Sequence, residues 1–493
     1  MGISYSLDTE KIRLKNKKTP LSFGKLLVTK PKTKERKVSP LITKKEYFAQ
    51  LPKEIKDGFS ELQIGKHLRK AGIIKACGYS CLSIFQLLFL LVFQYRNWYH
   101  ALQSKKAADL PGKDTIYRFL NSSTYNWRTF LLSLSSEVIR RVKQTISKRR
   151  VTVFIVDDSI YSRNRSKSVE LLAKVFDHST RQFVNGFQLL TLGWSDGFTF
   201  VPIDFALLSS ANQKNRLNEI HSSIDKRTTG YKRRLEALEA KPNMVLKLVE
   251  HALDKGIFAD YVLMDTWFTH APLVEKIHSK GLFVIGIVKQ LKQRYLFNGE
   301  RFTLEQLYRK AKRDIGKKET LGSIHATLHT GLPVKIVFVR NRNNQSEWLA
   351  ILSTDTTLSN EEIVRIYGMR WDIETFFKFS KSFLHLAKEF QGRSYDMMIS
   401  HTTIVFTRYI LIAWQLRKAE DPKTMGNLFL FLCDEVKEMD FKTALLQLIS
   451  LFQTLAEAKV YLSMDIFQCQ LSNWITSLPR YIKDCLHISV CES

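Results

Sequence analysis

Four residues have types and spacing suited to phosphate chemistry: Tyr367, Arg370, Glu374 and Lys381. An α-helix turns about 100° per residue, which sets Arg370, Glu374 and Lys381 at about −60°, −20° and −40° from Tyr367. On one continuous helix all four share an arc of about 60°. Ile366, Ile373, Phe377 and Leu384 fall beside them at about −80° to −120° and form the stripe that such a helix buries. One carboxylate, two cations and a phenol are therefore aligned next to a core-facing stripe. Arg370 offers a planar fork and Lys381 a point charge for phosphate oxygens. Glu374 offers a metal ligand, and Tyr367 a hydrogen bond or a stacking surface. A solvated face with an Arg370–Glu374 pair accounts for the charges. It does not account for the alignment of the phenol and both cations with the acid.

Two further carboxylates follow apolar runs. Asp157 comes after VTVFIV (Val151–Val156), and Asp265 after Tyr261–Met264. Strand ends in α/β sheets are where sites open. Carboxylates suit hard cations such as Mg²⁺, which keep water and borrow phosphate oxygens. Two such ions roughly 3.5–4 Å apart serve phosphodiester chemistry. Alone, Asp265 before Thr266 reads as a turn or a helix cap. Asp157 and Asp158 are adjacent, so they point to opposite faces and only one can enter a metal cage. The strand is apolar on both faces and does not choose between them.

At this point the chain resembles a known family. The pattern Tyr-x2-Arg-x3-Glu-x6-Lys, met by YGMRWDIETFFKFSK, is the YREK motif of DDE transposases of the insertion-sequence-four type, which have an RNase H-like core. In that family the first acid stands in Asp-x-Ser/Thr, which favours Asp157 in Asp157-Asp158-Ser159. The second ends a later strand, as Asp265 does in VLMDTWF. The resemblance implies Asp157, Asp265 and Glu374 as catalytic, metal-binding residues. Tyr367, Arg370 and Lys381 would hold DNA phosphates. Trp348, in WLAILSTD, corresponds to a Trp that holds a flipped base while a DNA hairpin forms; a strand Trp is equally a core residue. The implied cofactor is Mg²⁺, as two ions, with Mn²⁺ as a substitute. The implied partners are double-stranded DNA, the element's terminal inverted repeats, target DNA, and a second copy in a homodimer bridging paired ends. The implied reaction is cut-and-paste movement of an insertion sequence, by end cleavage and strand transfer.

The elements that must position these groups read as α/β. Phe187–Trp194 and Phe198–Leu207 are expected strands joined at Ser195-Asp196-Gly197, a hairpin turn. Helices are expected over Met244–Lys255 and Pro272–Ser279, with a buried strand at Leu282–Val288. A basic connection with Lys214, Arg216, Lys226, Arg227, Lys232, Arg233 and Arg234 precedes them. From Gln290 to Thr357 a β-rich insertion is expected. It has an Asn298-Gly299 hairpin turn, a helix at Leu304–Lys312, and strands at Pro333–Arg340 and Trp348–Ser353. One long helix from Asn360 to Leu386 then carries the motif. Helices continue at Thr403–Arg417, Met425–Val436 and Thr443–Ala456. Upstream, Phe59–Arg150 reads as helical. Asp114 is an expected helix cap there, and Lys105, Lys106, Lys113 and Arg118 are candidate DNA contacts. The divisions are a basic arm at 1–58, a helical, DNA-binding region at 59–150, and an RNase H-like core at 151–289. The insertion follows at 290–358, the core's final helices at 359–418, and a helical, dimerising region at 419–493.

Composition agrees with a polyanionic partner. The 493 residues carry 76 Lys plus Arg against 47 Asp plus Glu, a net charge of +29, which attracts nucleic acid at long range. The first 50 residues hold 13 Lys/Arg against 4 Asp/Glu and read as an arm ordered on phosphates or as a solvated tail. Six cysteines, at 77, 81, 433, 469, 485 and 491, form neither a CxxC pair nor a zinc pattern. They read as reduced thiols of an intracellular chain, with a cytoplasmic, nucleoid-associated, prokaryotic location expected. The apolar run Ala76–Tyr95 is long enough for a membrane span. Ser80, Ser83, Gln86 and Gln94 interrupt it, so a buried helix is expected and no membrane partner. Two competing functions remain: another RNase H-like DNA nuclease, and a catalytically idle DNA-binding protein derived from a transposase.

Overall fold

The computed structural model describes residues 51–478, apart from 104–109, 178–179, 291–292, 315–318, 342–343, 345, 391, 420–423 and 458–463. The basic arm up to residue 50, Lys105, Lys106, Cys485 and Cys491 lie outside the described residues. The chain opens with helices α1 (Lys53–Glu61), α2 (Ile64–Lys70), α3 (Cys81–Leu90), α4 (Trp98–Leu102), α5 (Lys113–Leu120) and α6 (Trp127–Thr145). The apolar run is α3, a core helix. Ser80 caps it by accepting from the Ser83 amide, and Phe85 and Phe89 pack on Phe59, with Phe85 also against Phe130. Asp114 is not a cap. Gly112 is the N-cap of α5, and Asp114 sits in the first turn, where its charge complements the helix dipole.

The middle of the chain builds one mixed sheet of 12 strands. Its first part contains β1 (Val153–Ser162), β2 (Ala173–Asp177), β3 (Gln182–Ser195) and β4 (Phe200–Leu208). Next come α7 (Thr229–Glu236), α8 (Lys241–Asp254), β5 (Tyr261–Met264), α9 (Ala271–His278) and β6 (Phe283–Val288). β4, β3 and β1 pair antiparallel in that order, while β5 joins β1 in parallel and β6 joins β5 in parallel. This is the RNase H-like core: three antiparallel strands feeding two parallel ones. Gly197, at φ +80°, makes the β3–β4 turn, and Asp196 accepts from the amides of Phe198 and Thr199.

β1 outruns its expected end. The apolar run stops at Val156, but antiparallel pairing with β3 continues to Ser162. Asp157 and Asp158 therefore lie inside a strand rather than beyond one.

The insertion holds β7 (Tyr295–Phe297), β8 (Glu300–Phe302), α10 (Leu304–Lys310), β9 (Lys312–Arg313), β10 (Thr320–Leu328), β11 (Pro333–Arg340) and β12 (Trp348–Ser353). Asn298 and Gly299, at φ 50° and 83°, form the two-residue turn between β7 and β8. These strands extend the core sheet itself, because β12 pairs antiparallel with β6.

The motif segment is two helices, α11 (Asn360–Gly368) and α12 (Trp371–Ser382). Between them the amides of Met369 and Arg370 bond to carbonyls three residues back, so the helix tightens for one turn. The Ser195 hydroxyl donates to the Asp372 carboxylate at 2.6 Å and ties the start of α12 to the end of β3. The remaining helices are α13 (Tyr395–Lys418), α14 (Met425–Glu457) and α15 (Met464–Ser477). α14 is one 33-residue helix where two were expected, because no Gly or Pro interrupts Lys437–Lys442. α13 is the one described helix long and apolar enough to cross a membrane, and its apolar window is wholly buried within the fold. Inside, Arg408 of α13 pairs with Glu389, which also meets His401.

Helices cover both faces of the core sheet. On one face, Asp204 of β4 meets Arg128 of α6 and His251 of α8. On the other, Phe205 packs edge-on against Phe406 of α13, and Phe376 of α12 packs on Phe200, Phe406 and Tyr409. Phe376 is fully buried and anchors the helix that carries Glu374. Truncating such a side chain typically costs ~3–5 kcal/mol. Phe376→Ala is expected to lose stability of that order in urea unfolding, whereas Phe376→Leu should lose less than half as much.

Candidate active site

The parallel register of β1 and β5 sets two carboxylates side by side. Val153 to Val156 pair with Tyr261 to Met264 in step. Carried one residue further, that register puts Asp157 beside Asp265. Side chains at matched positions of neighbouring strands emerge on the same face.

Asp157 has little freedom. Its Oδ1 accepts from the Asp158 amide at 2.8 Å, and its Oδ2 accepts from Arg370 Nη1 at 3.1 Å. Burial pushes its carboxyl up to about 7; Arg370 opposes this and the nearby Asp265 adds to it. Asp158 lines the same cleft but is held by a different cation. Both its oxygens meet Lys241 Nζ at 3.1 Å, at the start of α8. The alternation that the sequence left undecided therefore places Asp157 with Arg370 and Asp265, and Asp158 with Lys241.

Asp265 also serves its local turn: Oδ1 accepts from the amides of Trp267 and Phe268 at 2.9 and 3.2 Å. The turn reading and the shared cleft hold together for this residue, while the N-cap of α9 is His270.

Arg370 is the hub of the motif segment. One nitrogen reaches Asp157, another reaches Glu374, and the guanidinium lies near enough to the Tyr367 phenol to act on it electrostatically. Burial pushes that phenol up to about 12, so it stays protonated and able to donate. Lys381 Nζ lies 2.6 Å from Ser159 Oγ on β1. Burial lowers its ammonium pKa, with Asp177 pulling the other way. Arg370 thus links Glu374 to Asp157 with Tyr367 nearby, and Lys381 meets β1 two residues farther on, at Ser159. Trp348 packs elsewhere: it stacks on Tyr308 at 4.7 Å and meets Phe338 edge-on.

Asp157, Asp265 and Lys381 line a cleft of about 440 Å³. Several further lining residues escaped the sequence reading, and two of them form a pair. Lys241 stands 4.3 Å over the ring of Trp267, and that indole is 42% exposed. Trp267 was within reach, two residues after Asp265 in VLMDTWF. Lys241 had no signal, because only the fold brings the start of α8 to β1.

Among the described residues no group of three or more His, Cys, Asp or Glu stands ready as a metal cage. The Asp157–Asp265 pair nevertheless fits a hard divalent cation. Its oxygens are the right donors, and their mutual repulsion is what a cation would relieve. Glu374 fits as a third donor when Arg370 is engaged elsewhere; here the guanidinium stands between the two acids.

Residues 104–340 match the family model of the DDE superfamily endonucleases. The matched span is slightly under half of the chain and supports a nuclease- or transposase-type activity on DNA. It contains Asp157 and Asp265 and ends before Trp348 and the motif helices. No curated protein matches the chain.

The raised carboxyl of Asp157 gives a pH signature to this endonuclease-like core. Between about pH 4 and 7 the folded chain holds that proton more tightly than the unfolded chain, so stability falls as pH rises across this window. At about 1.4 kcal/mol per unit the cost above pH 7 is at most ~4 kcal/mol. Asp157→Asn should therefore melt higher than the parent at pH 8 in EDTA, with the gain shrinking toward pH 4. A gain that is the same at both pH values would refute the assignment of that buried charge.

Proposed function

We propose that the chain is a DNA transposase of the cut-and-paste type, acting on the ends of an insertion sequence. The observation that carries this reading is the convergence of Asp157, Asp265, Arg370 and Glu374. Two strands far apart in sequence bring Asp157 and Asp265 to one cleft, and the turn before α12 brings the Arg370 fork against Asp157 with Glu374 as its second partner. The family match over 104–340 favours a DNA phosphodiester as the bond attacked. The net charge of +29 suits the same substrate.

Asp157, Asp265 and Glu374 would hold Mg²⁺, or Mn²⁺ in its place. When bound, the cations supply Lewis-acid activation of the nucleophile and neutralise the leaving oxygen, as in other two-metal sites. The protein's own groups do the rest. Arg370 exchanges its carboxylate partners for phosphate oxygens, which suit the same planar fork, and so frees Asp157 and Glu374 together. Tyr367, protonated at working pH, donates to a phosphate oxygen. Lys381 adds a point charge where the strand leaves the cleft. The order of events is hydrolysis at each element end, then attack of the freed 3′-hydroxyl on target DNA. In this reading Trp348 holds a flipped base at the end, although its stack on Tyr308 would have to open first.

The wider organisation belongs to the same proposal. The basic arm (1–58) and helical region (59–150) would grip terminal inverted repeats, and the last helices (419–493) would join two copies on paired ends, at the nucleoid.

Asp265→Asn and Glu374→Gln should each lower cleavage of the chain's own flanking DNA at least ~1000-fold, the usual scale for losing a group that acts only in the transition state. Binding of the same DNA, followed by gel shift in Ca²⁺, should stay within about threefold of the parent. Near-normal cleavage by either purified variant overturns the triad. Nicking without joining to a target would leave a nuclease in place of a transposase.

A further inference from the structure

A second, larger concavity adjoins the cleft. It measures about 1150 Å³ and lies between the loop after β1 and the loop after α12. Ile160, Asp177 and Lys381 line both spaces, so a chain leaving the Asp157–Asp265 cleft past Lys381 enters this groove directly.

The groove is cationic and unneutralised. Arg165, Lys167, Lys388 and Arg393 line it, and all four are exposed. None of them forms an ion pair among the described residues. Other arginines of the core behave differently. Arg128 pairs with Asp204 and Glu236, Arg234 with Glu170 and Asp396, Arg216 with Glu219, and Arg408 with Glu389. Four like charges around one groove repel each other. Asp177, between the two spaces, is its one acidic lining residue.

The walls are built to stay in place. Buried Arg163 donates to the Phe390 carbonyl at 2.8 Å, and the Glu170 amide donates to the Arg393 carbonyl at 2.9 Å, so the two loops are bonded to each other. Glu170 is itself gripped by Arg234. Leu171, His385 and Ala387 hold left-handed backbone at φ 58°, 56° and 66°. Side chains with a Cβ are disfavoured in that conformation. Such strain persists where the surroundings over-determine it.

We propose that this groove binds the phosphodiester backbone of the nucleic acid flanking the scissile bond, with Arg165, Lys167, Lys388 and Arg393 as its phosphate contacts. The proposal rests on the nuclease reading of the adjoining cleft. It assigns a path: the strand enters past Trp267 and Lys241, crosses Lys381, and leaves between the two basic loops.

The test reads binding alone. The full-length protein and a fluorescent duplex of its flanking DNA are titrated in EDTA across a salt series. Each phosphate contact contributes about −0.9 to the slope of log K against log salt on duplex DNA. Arg165→Ala/Lys167→Ala/Lys388→Ala/Arg393→Ala should flatten that slope by about 2–3 units and weaken binding at least tenfold near 0.1 M salt. Arg165→Lys/Arg393→Lys should keep the slope. An azidophenacyl probe on Arg165→Cys should cross-link to the duplex next to the cleavage position, at a site that the parent, labelled at its own exposed Cys77 and Cys469, does not reach. A slope changed by less than about half a unit in a quadruple variant that melts like the parent overturns the proposal. So does a probe that labels no DNA. Because no cleavage is read, failure of the nuclease reading shows separately, as Asp265→Asn or Glu374→Gln protein that still cuts.

Discussion

Four residues of parallel pairing between β1 and β5 hold the candidate site together. Backbone hydrogen bonds fix strand spacing at about 4.8 Å, far more tightly than side-chain packing could. Since the register is set by Val156 against Met264, the next residue of each strand has no choice of neighbour. Two aspartates brought so close are electrostatically unfavourable. Burial makes the charge of Asp157 harder to hold, and one guanidinium is brought against it in compensation.

That guanidinium couples the sheet to the motif helices. Arg370 lies in the tightened turn between α11 and α12, so a change in its partners bears on the geometry of both helices. Asp372, bonded to Ser195, pins the same turn to β3 from the other side. The lining of the cleft is therefore cross-braced by side chains from β1, β3 and the two helices. Phe376 and its aromatic neighbours keep α12 against the sheet beneath.

Much of this was legible where local chemistry and global fold agree. Tyr261–Met264, Pro333–Arg340 and Trp348–Ser353 occupy the strands that their apolar patterns indicate, and Asn298-Gly299 makes the turn its φ preferences demand. What the sequence concealed has identifiable causes. β1 continues through Asp157-Asp158-Ser159 because β3 supplies partners there, which no polar run announces. The break at Met369–Arg370 carries no Pro, only Gly368 just before it, and arises from backbone bonds formed three residues apart. The choice between Asp157 and Asp158 depends on Arg370 and Lys241, both distant in sequence. The wheel that aligned Tyr367 with Lys381 survives the break well enough to keep Tyr367, Arg370 and Glu374 in one cluster, whereas Lys381 is displaced along β1 to Ser159.

The pairing of β12 with β6 has a mechanical meaning. A flap hung on two loose strands can swing; a flap whose strands continue the same hydrogen-bonded sheet cannot. Ala350 to Ser353 are in register with Val288 to Ile285, and Thr354 exchanges two further hydrogen bonds with Val284. Bending the insertion would mean twisting β6, and through it β5 and the backbone that ends in Asp265. The far strands of the insertion are thus joined to the strand that precedes Asp265 by an unbroken run of backbone hydrogen bonds.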